Sequence, residues 1–206
     1  NNQLKDTLMG YIIYVADCET TGLDAHKNDI IEVSFYRTSD EQQKTWCMHP
    51  FDMENIDDVA LKINGHKRED ITLKTTEGKA RYKNPSDVLV EIENWILEDG
   101  CKSEERVLCG QNIPFDREFF QATWNKAGSA ETYPFGRRYM DTMMFDFYVD
   151  FARGEFSEGY SLKNLCKKYG VKNDAAHTAA ADTLACKEVF FKQLVLMKEL
   201  LASHKL

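Results

Sequence analysis

Apolar and polar positions along the chain predict strands first and helices later. The apolar run at residues 11–16 is rich in β-branched and aromatic side chains, which is typical of a buried central strand. Residues 31–36 alternate between apolar and more polar side chains, which predicts a half-exposed strand. Two further strands are expected at residues 45–48 and 107–109.

Helical periodicity and capping residues predict the remaining elements. The predicted helices cover residues 57–64, 85 to just before Gly100, about 115–126, 161–169 and 178–203. Residues 67–84 are polar and predict a loop, whereas residues 139–147 fit a helix and a strand equally well. Strands that precede helices in this order predict an α/β or α+β fold.

Length and composition narrow the class of protein. With 206 residues, 43% of them apolar, the chain is expected to form a single domain whose core covers about residues 10–195. Its longest apolar run, residues 11–16, is far shorter than the roughly 18 residues that span a membrane, and no basic segment precedes it as in a signal peptide. We therefore expect a soluble protein that does not bind a membrane.

Charge and cysteine content bear on the partner and the compartment. Asp and Glu outnumber Lys and Arg by 34 to 26, and this excess argues against non-specific binding of long duplex DNA. A nucleic-acid enzyme is not excluded, because bound divalent cations reverse the local charge. The six cysteines include no C-x-x-C pair, which argues against a zinc site and is typical of reduced thiols in a cytoplasmic protein.

The first candidate site lies at the end of the predicted central strand, in the run Asp17-Cys18-Glu19-Thr20-Thr21-Gly22-Leu23. Residues two apart share a face of a strand, so the carboxylates of Asp17 and Glu19 project together. Two such groups on a buried strand repel each other, and a hard divalent cation with oxygen ligands removes the conflict. The alternative interpretation is a strand that simply ends in solvent, because D-x-E is frequent by chance.

The second candidate is Asp116, in the run Gly110-Gln111-Asn112-Ile113-Pro114-Phe115-Asp116. Core-type residues stand three, four, seven and eight positions after Asp116: Phe119, Phe120, Thr123 and Trp124. This spacing places the carboxylate on the core-facing side of a helix. An acid in the first turn is equally well explained as a cap that interacts with the helix dipole.

The third candidate is the run His177-Thr178-Ala179-Ala180-Ala181-Asp182. Apolar residues again follow Asp182 at helical spacing, so this carboxylate is also expected on a buried face. The alanines remove bulk and allow another element to approach closely. His177 is expected in the turn before the helix, where a lone histidine is most often a surface or packing residue.

Together, four acids from three distant segments and one histidine form the residue set of a two-metal phosphodiesterase. In that chemistry two divalent cations roughly 4 Å apart stabilise the attacking and leaving oxygens of a phosphate. The histidine would take a proton from the attacking water.

The three runs, D-x-E-T-T-G, G-x-N-x-x-F-D and H-x-x-x-x-D, resemble in this order the motifs of the DEDDh branch of the DnaQ-like 3′–5′ exonucleases. The resemblance extends from about residue 11 to about residue 194. It implies an α/β fold of the ribonuclease H-like type, with a five-stranded mixed sheet flanked by helices. It also implies two divalent cations, Mg²⁺ or Mn²⁺, as cofactors. A second branch of the family would have Tyr at position 178. This chain has Thr178 there, and the His177 that precedes it is typical of the DEDDh branch.

The resemblance also implies catalytic roles for single residues. Asp17, Glu19 and Asp182 would hold the first cation. Asp17 would also touch the second cation, which Asp116 would support directly or through water. His177 would be the general base.

The same resemblance implies contacts with the terminal nucleotide. Backbone N–H groups of the T-T-G segment would contact its sugar. Leu23 resembles the apolar wedge that packs on its base, and the segment 63–66 resembles the loop that closes over the nucleotide. For the wedge, ordinary packing is the alternative interpretation. The residues expected at the substrate are Thr20, Thr21, Gly22, Leu23, Ile63, His66 and Asn112.

Three function classes follow from this set of residues. The leading one is a metal-dependent 3′–5′ exonuclease that releases nucleoside monophosphates from single-stranded or frayed 3′ ends of DNA, either in proofreading with a DNA polymerase as partner or on free ends. The second is the same chemistry on RNA or short oligonucleotides, which the acidic charge favours because short substrates need little phosphate-binding surface. The third, an inactive module that binds a polymerase or nucleic acid, is disfavoured because all five chemical residues are present.

Overall fold

The computed structural model describes residues 10–72, 81–155, 157–173 and 177–203. In these ranges five strands form one sheet in the order β3-β2-β1-β4-β5. The strands are β1 (Ile12–Thr20), β2 (Ile30–Arg37), β3 (Gln42–Cys47), β4 (Arg106–Gly110) and β5 (Tyr139–Asp141). Because β1 pairs antiparallel with β2 and parallel with β4, the sheet is mixed, and the predicted fold class is confirmed.

Helices flank the sheet and follow the predicted order. They are α1 (Asp58–Asn64), α2 (Arg68–Thr72), α3 (Pro85–Leu97), α4 (Ile113–Lys126), α5 (Thr142–Arg153), α6 (Leu162–Tyr169) and α7 (Ala179–Ser203). Local capping sets several of these ends: the Asp57 side chain accepts from the Val59 N–H at the start of α1, and Gly65 adopts the left-handed conformation after its last residue. Among the described residues, no helix combines the length and apolarity that a membrane span requires.

The central strand β1 directs its side chains alternately to two cores. Tyr14 and Ala16 pack against the face covered by α3 and α4, whereas Ile13 and Val15 pack against α7. By the same alternation, Asp17 and Glu19 lie on the side of the sheet that α7 covers. The fold therefore brings the D-x-E pair to the helix that carries the third motif.

The prediction that residues 31–36 form a half-exposed strand is wrong, because all eight residues of β2 are buried. Ser34 and Glu32, two polar residues of β2, have hydrogen-bond partners within the protein. The hydroxyl of Ser34 accepts from Nε2 of Gln43 at 2.9 Å, and a carboxylate oxygen of Glu32 accepts from the Ala179 N–H at 3.1 Å. A polar residue in an alternating pattern therefore does not always face solvent.

Two further segments refine the predicted elements. Part of the predicted loop at residues 67–84 is α2, which buries Ile71 and is held by an Arg68 guanidinium that donates to the Ile56 carbonyl at 2.7 Å. Residues 73–80 of that prediction lie outside the described residues. The ambiguous segment 139–147 contains both elements, a strand as far as Asp141 and then a helix, because the Asp141 carboxylate caps α5 at the Met143 N–H.

Candidate active site

Three predicted metal ligands converge at the carboxyl end of β1. Asp17 and Glu19 are two residues apart on β1, and Asp182 lies in the first turn of α7. One carboxylate oxygen from each lies within 4.8 Å of the others. The group contains only oxygen donors, the ligand type that hard divalent cations such as Mg²⁺ and Mn²⁺ prefer.

Asp182 is oriented by two hydrogen bonds. Nδ2 of Asn173 donates to its Oδ1 at 2.6 Å, and the backbone N–H of His177 donates to its Oδ2 at 3.1 Å. Both donors precede α7 in the chain, and each ties its own position to the acidic group. Nothing in the sequence pattern singled out Asn173.

Asp116, the fourth predicted ligand, is buried in the first turn of α4. Its Oδ1 accepts from the backbone N–H of Cys18 at 2.9 Å, between the two acids of β1. The pairing of β1 with β4 ends at Val15 and Cys109. After this position, Asp116 provides a hydrogen-bond acceptor for the β1 backbone. The structure thus places all four acids around one end of β1, with Asp116 on the edge next to β4.

Burial and mutual repulsion raise the pKa values of these acids. Burial, then the neighbouring Asp116, Glu19 and Asp182, raise the pKa of Asp17 well above its usual range. Burial, Asp182 and other acids raise the pKa of Glu19 to about 8. Burial raises the pKa of Asp116 to about 7, although the hydrogen bonds from Cys18 act in the opposite direction. A bound cation would stabilise the ionised form of these carboxyls and reduce their mutual repulsion.

The T-T-G segment forms a tightly bonded loop after β1. The Thr21 N–H donates to the Asp29 carbonyl at 2.8 Å, and the amide of Asn28 donates to the Asn55 carbonyl at 2.9 Å. Gly22 leaves room for Asn28, since a Cβ added there would lie 2.4 Å from Oδ1 of Asn28 and would displace its side chain. Asn28 is a part of this loop that the sequence analysis missed, because an Asn among other polar residues gives no signal.

Two apolar side chains stand exposed beside this loop. Leu23 is 83% exposed and Ile63, at the end of α1, is 60% exposed. Both apolar side chains are therefore accessible from solvent on this side of the fold. The end of α1 is linked to the end of β1, because the Asn64 amide donates to the Thr20 carbonyl at 3.1 Å.

The other predicted substrate residues differ in accessibility. His66 is buried, with its Nδ1 2.6 Å from the Tyr82 hydroxyl and its Nε2 3.4 Å from a carboxylate oxygen of Glu32. Its ring therefore supports the segment 63–66 from inside. Asn112 and His177 are exposed, and both adopt a left-handed backbone conformation, with φ of 53° and 69°. Non-glycine residues seldom adopt this conformation, and the examples that occur are concentrated at functional sites.

Comparison with known proteins places this arrangement among nucleases. Residues 14–190 match the RNase T family model, which is described as an exonuclease family. Ribonuclease T of Haemophilus influenzae (strain PittEE) is 25% identical over 211 residues, which cover 97% of this chain and 86% of the relative. The PolC-type DNA polymerase III of Staphylococcus aureus (strain bovine RF122 / ET3-1) is 26% identical over 202 residues, which cover 96% of this chain but only 12% of the polymerase.

Solved structures share the fold. The zinc-bound complex of E. coli ExoI with single-stranded DNA superimposes with a TM-score of 0.69 at 19% identity, and covers 91% of this chain and 41% of its own. Exonuclease I from Methylocaldum szegediense gives a TM-score of 0.68 at 19% identity over 90% of this chain and 40% of its own. The chain thus spans less than half the length of these structures.

Proposed function

Because the chain belongs to the DnaQ-like family of 3′–5′ exonucleases, we propose that it removes nucleoside monophosphates from single-stranded or frayed 3′ ends of DNA with the acids of β1, α4 and α7. The observation that carries this proposal is the meeting of Asp17, Glu19 and Asp182, from segments far apart in the chain, with carboxylate oxygens within 4.8 Å of one another. Ionised acids grouped at the end of a buried strand destabilise the fold unless cations neutralise them.

The donor set fits the cations that the family requires. Asp17, Glu19 and Asp182 would hold one of them, and Asp116 together with Asp17 would support a second; Mg²⁺ and Mn²⁺ suit carboxylate oxygens best. Bound there, the two cations would neutralise charge on the scissile phosphate and lower the pKa of water. The raised pKa values of Asp17 and Glu19 support this role, since ionisation of these acids without cations is unfavourable.

His177 would act as the general base. It is exposed in the turn before α7, where its imidazole can reach solvent and substrate, and its backbone N–H is bonded to Asp182. A neutral imidazole takes a proton from the attacking water, and a positioned base contributes roughly 10²–10⁴ in rate. The bond from its backbone N–H to Asp182 would keep the base close to the acids, and the proposal does not make His177 a metal ligand.

The loop after β1 would hold the terminal nucleotide. Leu23 would pack on the last base, and the backbone of Thr20 to Gly22 would face its sugar. A single exposed apolar wedge suits one unpaired base, and a base-paired end must melt before it enters. The proposal therefore favours single-stranded and frayed 3′ ends over blunt duplex.

DNA is the favoured substrate, and RNA is the second candidate. Support for DNA comes from the fold shared with ExoI solved with single-stranded DNA and from the PolC-type relatives, which also make a DNA polymerase a candidate partner. Support for RNA comes from Ribonuclease T, of which this chain covers 86%, and from the net charge of −8. The sugar 2′-OH is what distinguishes the two at a given site.

A time course on matched DNA and RNA oligomers labelled at the 5′ end tests the proposal. With Mg²⁺ or Mn²⁺, the DNA is expected to shorten one nucleotide at a time from its 3′ end, and the RNA more slowly. The Asp17→Ala variant is the control for a contaminating nuclease. Faster shortening of the RNA would select the second candidate, and internal cuts or intact oligomers would contradict the proposed activity.

A further inference from the structure

Glu32 is a buried carboxylate behind the active site to which the proposed chemistry assigns no role. It lies on β2, directly opposite Glu19 in the β1–β2 ladder, and only 3% of its surface is exposed. A buried carboxylate is costly unless its oxygens are fully paired. Its partners therefore indicate what it is for.

One oxygen of Glu32 binds the start of α7. Oε1 accepts from the Ala179 N–H at 3.1 Å, and Ala179 is the first residue of that helix. The first N–H groups of a helix have no partner within it, and they carry the positive end of its dipole. A carboxylate on the buried strand β2 therefore helps to hold the start of the helix, together with Gln43, whose Nε2 donates to the Ala180 carbonyl at 2.8 Å.

The other oxygen of Glu32 faces donors from different segments. Oε2 lies 2.8 Å from Nη2 of Arg81 and 3.4 Å from Nε2 of His66. Although burial acts in the opposite direction, hydrogen bonds from His66 and Arg81 hold the pKa of Glu32 below its usual range, so the group is ionised at neutral pH. The segment 63–66 and the start of α7 are thus anchored on a single side chain.

The position of the helix start matters because Asp182 follows Ala179 by three residues, which is about one turn. A shift or rotation of the first turn of α7 would move the oxygens of Asp182 away from Asp17 and Glu19. His177, whose N–H is bonded to Asp182, would move with it. The acids of β1 have less freedom, because this part of β1 is paired with β2 and the Cys18 N–H between them is bonded to Asp116.

We propose that Glu32 is a positioning residue of the active site: the reach of its Oε1 to the Ala179 N–H places Asp182 and His177 against the acids of β1. This inference rests on the proposed function, which gives Asp182 and His177 their catalytic roles. It assigns Glu32 no contact with substrate or cation.

Two substitutions separate reach from charge. Glu32→Gln removes the charge but keeps an oxygen at the same distance along the side chain, and the mostly exposed Arg81 can turn to solvent. Glu32→Asp keeps the charge but withdraws the oxygens by one methylene, so that the Ala179 N–H loses its acceptor. A matched control is Asp99→Asn, which breaks the buried pair with Arg106 at the other side of the fold.

Three readouts are compared between wild type and variants: kcat and KM on a 5′-labelled DNA oligomer, the dissociation constant for Mn²⁺ alone by calorimetry, and hydrogen exchange of the Ala179 amide. Glu32→Asp is expected to lower kcat and Mn²⁺ affinity by roughly 10–100-fold, the scale for residues that support metal ligands. Its KM should change less than about threefold, because the loop after β1 is untouched, and its Ala179 amide should exchange faster. Glu32→Gln should stay within about threefold of wild type in all three.

Two outcomes would overturn the proposal. If Glu32→Asp is normal and Glu32→Gln is impaired, the charge of Glu32 matters and not its reach. If both variants melt earlier, as Asp99→Asn should, but keep kcat and Mn²⁺ affinity, Glu32 supports only the fold. Wild-type protein that leaves the oligomer intact would instead refute the proposed function, and Mn²⁺ affinity and Ala179 exchange would still decide the role of Glu32.

Discussion

Glu19 and Glu32 face each other across β1 and β2, yet their pKa values are shifted in opposite directions. Burial and the neighbouring acids Asp182 and Glu32 raise the pKa of Glu19 to about 8. Glu32 is also buried, but hydrogen bonds from His66 and Arg81 bring its pKa below the usual range. One carboxylate is therefore paired with cationic and N–H donors, and its neighbour across the ladder faces other acids.

The metal-free protein should become less stable as the pH rises. In the native state the pKa values of Glu19 and Asp116 are raised to about 8 and about 7, from ordinary values of 4.5 and 3.8. Between these limits the native state binds more protons than the unfolded state, so the free energy of unfolding falls as the pH increases. Urea unfolding in EDTA should give a lower midpoint at pH 8 than at pH 5.

Glu19→Gln is the control for this pH dependence. It removes one of the shifted groups and relieves its neighbours of a charge, so the difference between the two midpoints should shrink. The lowered pKa values of Asp40 and Asp99 act at more acidic pH and do not contribute in this window. A wild-type midpoint that rises from pH 5 to pH 8 would show that the acids of β1 ionise without cost.

Mn²⁺ should stabilise the protein. A ligand that binds only the native state adds about 2.7 kcal/mol at 100 times its Kd, which corresponds to roughly 5–10 °C in Tm for a chain of this size. Thermal melts with and without Mn²⁺ measure the effect. Asp17→Ala should abolish the shift, whereas the exposed acid Asp87 can be replaced by Ala without consequence for it. Equal shifts in wild type and Asp17→Ala would place the cation elsewhere.

Leu23→Ala should slow removal of an unpaired or mispaired 3′ nucleotide by roughly tenfold, the loss expected from ~1.4 kcal/mol of apolar contact. It should also reduce the preference of the wild type for mispaired ends. Because Leu23 is 83% exposed, Tm should not change. Val90→Ala, at an exposed apolar position of α3, is the matched control. If the wild type removes paired and mispaired ends at equal rates, Leu23 is not a wedge.

His177→Ala should separate catalysis from metal binding. The variant is expected to lose roughly 10²–10⁴ in kcat, the usual contribution of a positioned base, and to keep the Mn²⁺-induced rise in Tm. Asp182→Ala should lose both, and His26→Ala, at another exposed histidine, should lose neither. Near-normal turnover of His177→Ala at pH 7 would leave the metal site intact but assign the base to another group.

Elements with local signals could be predicted from the sequence. The cap residue Asp57 and the left-handed Gly65 delimit α1, and Ser161 and Gly170 delimit α6 in the same way. These ends depend on residues within a few positions of each other. The grouping of Asp17, Glu19 and Asp182 followed from motif order, since helical and strand spacing give only the face of each element.

The remainder could not be predicted because its causes are distant in sequence. Glu32 and Ser34 appear in the pattern as solvent-facing residues of β2, but Ala179 and Gln43 satisfy them in the interior. Asn173 orients Asp182 from a segment without periodicity. The alternation of apolar and polar residues shows which side chains share a face of a strand. It does not show which element packs on that face.

The close contact of Gly22 with Asn28 has a consequence for binding energy. Asn28 bonds to carbonyls on two sides of the loop, at Thr21 and Asn55, so the backbone that presents Leu23 is ordered when the chain folds. On the proposed function, a nucleotide that binds there would meet a surface with little conformational entropy left to lose, and more of the contact energy would be retained as affinity. The affinity for the last base would then depend in part on the Asn28 amide, without any contact between the two.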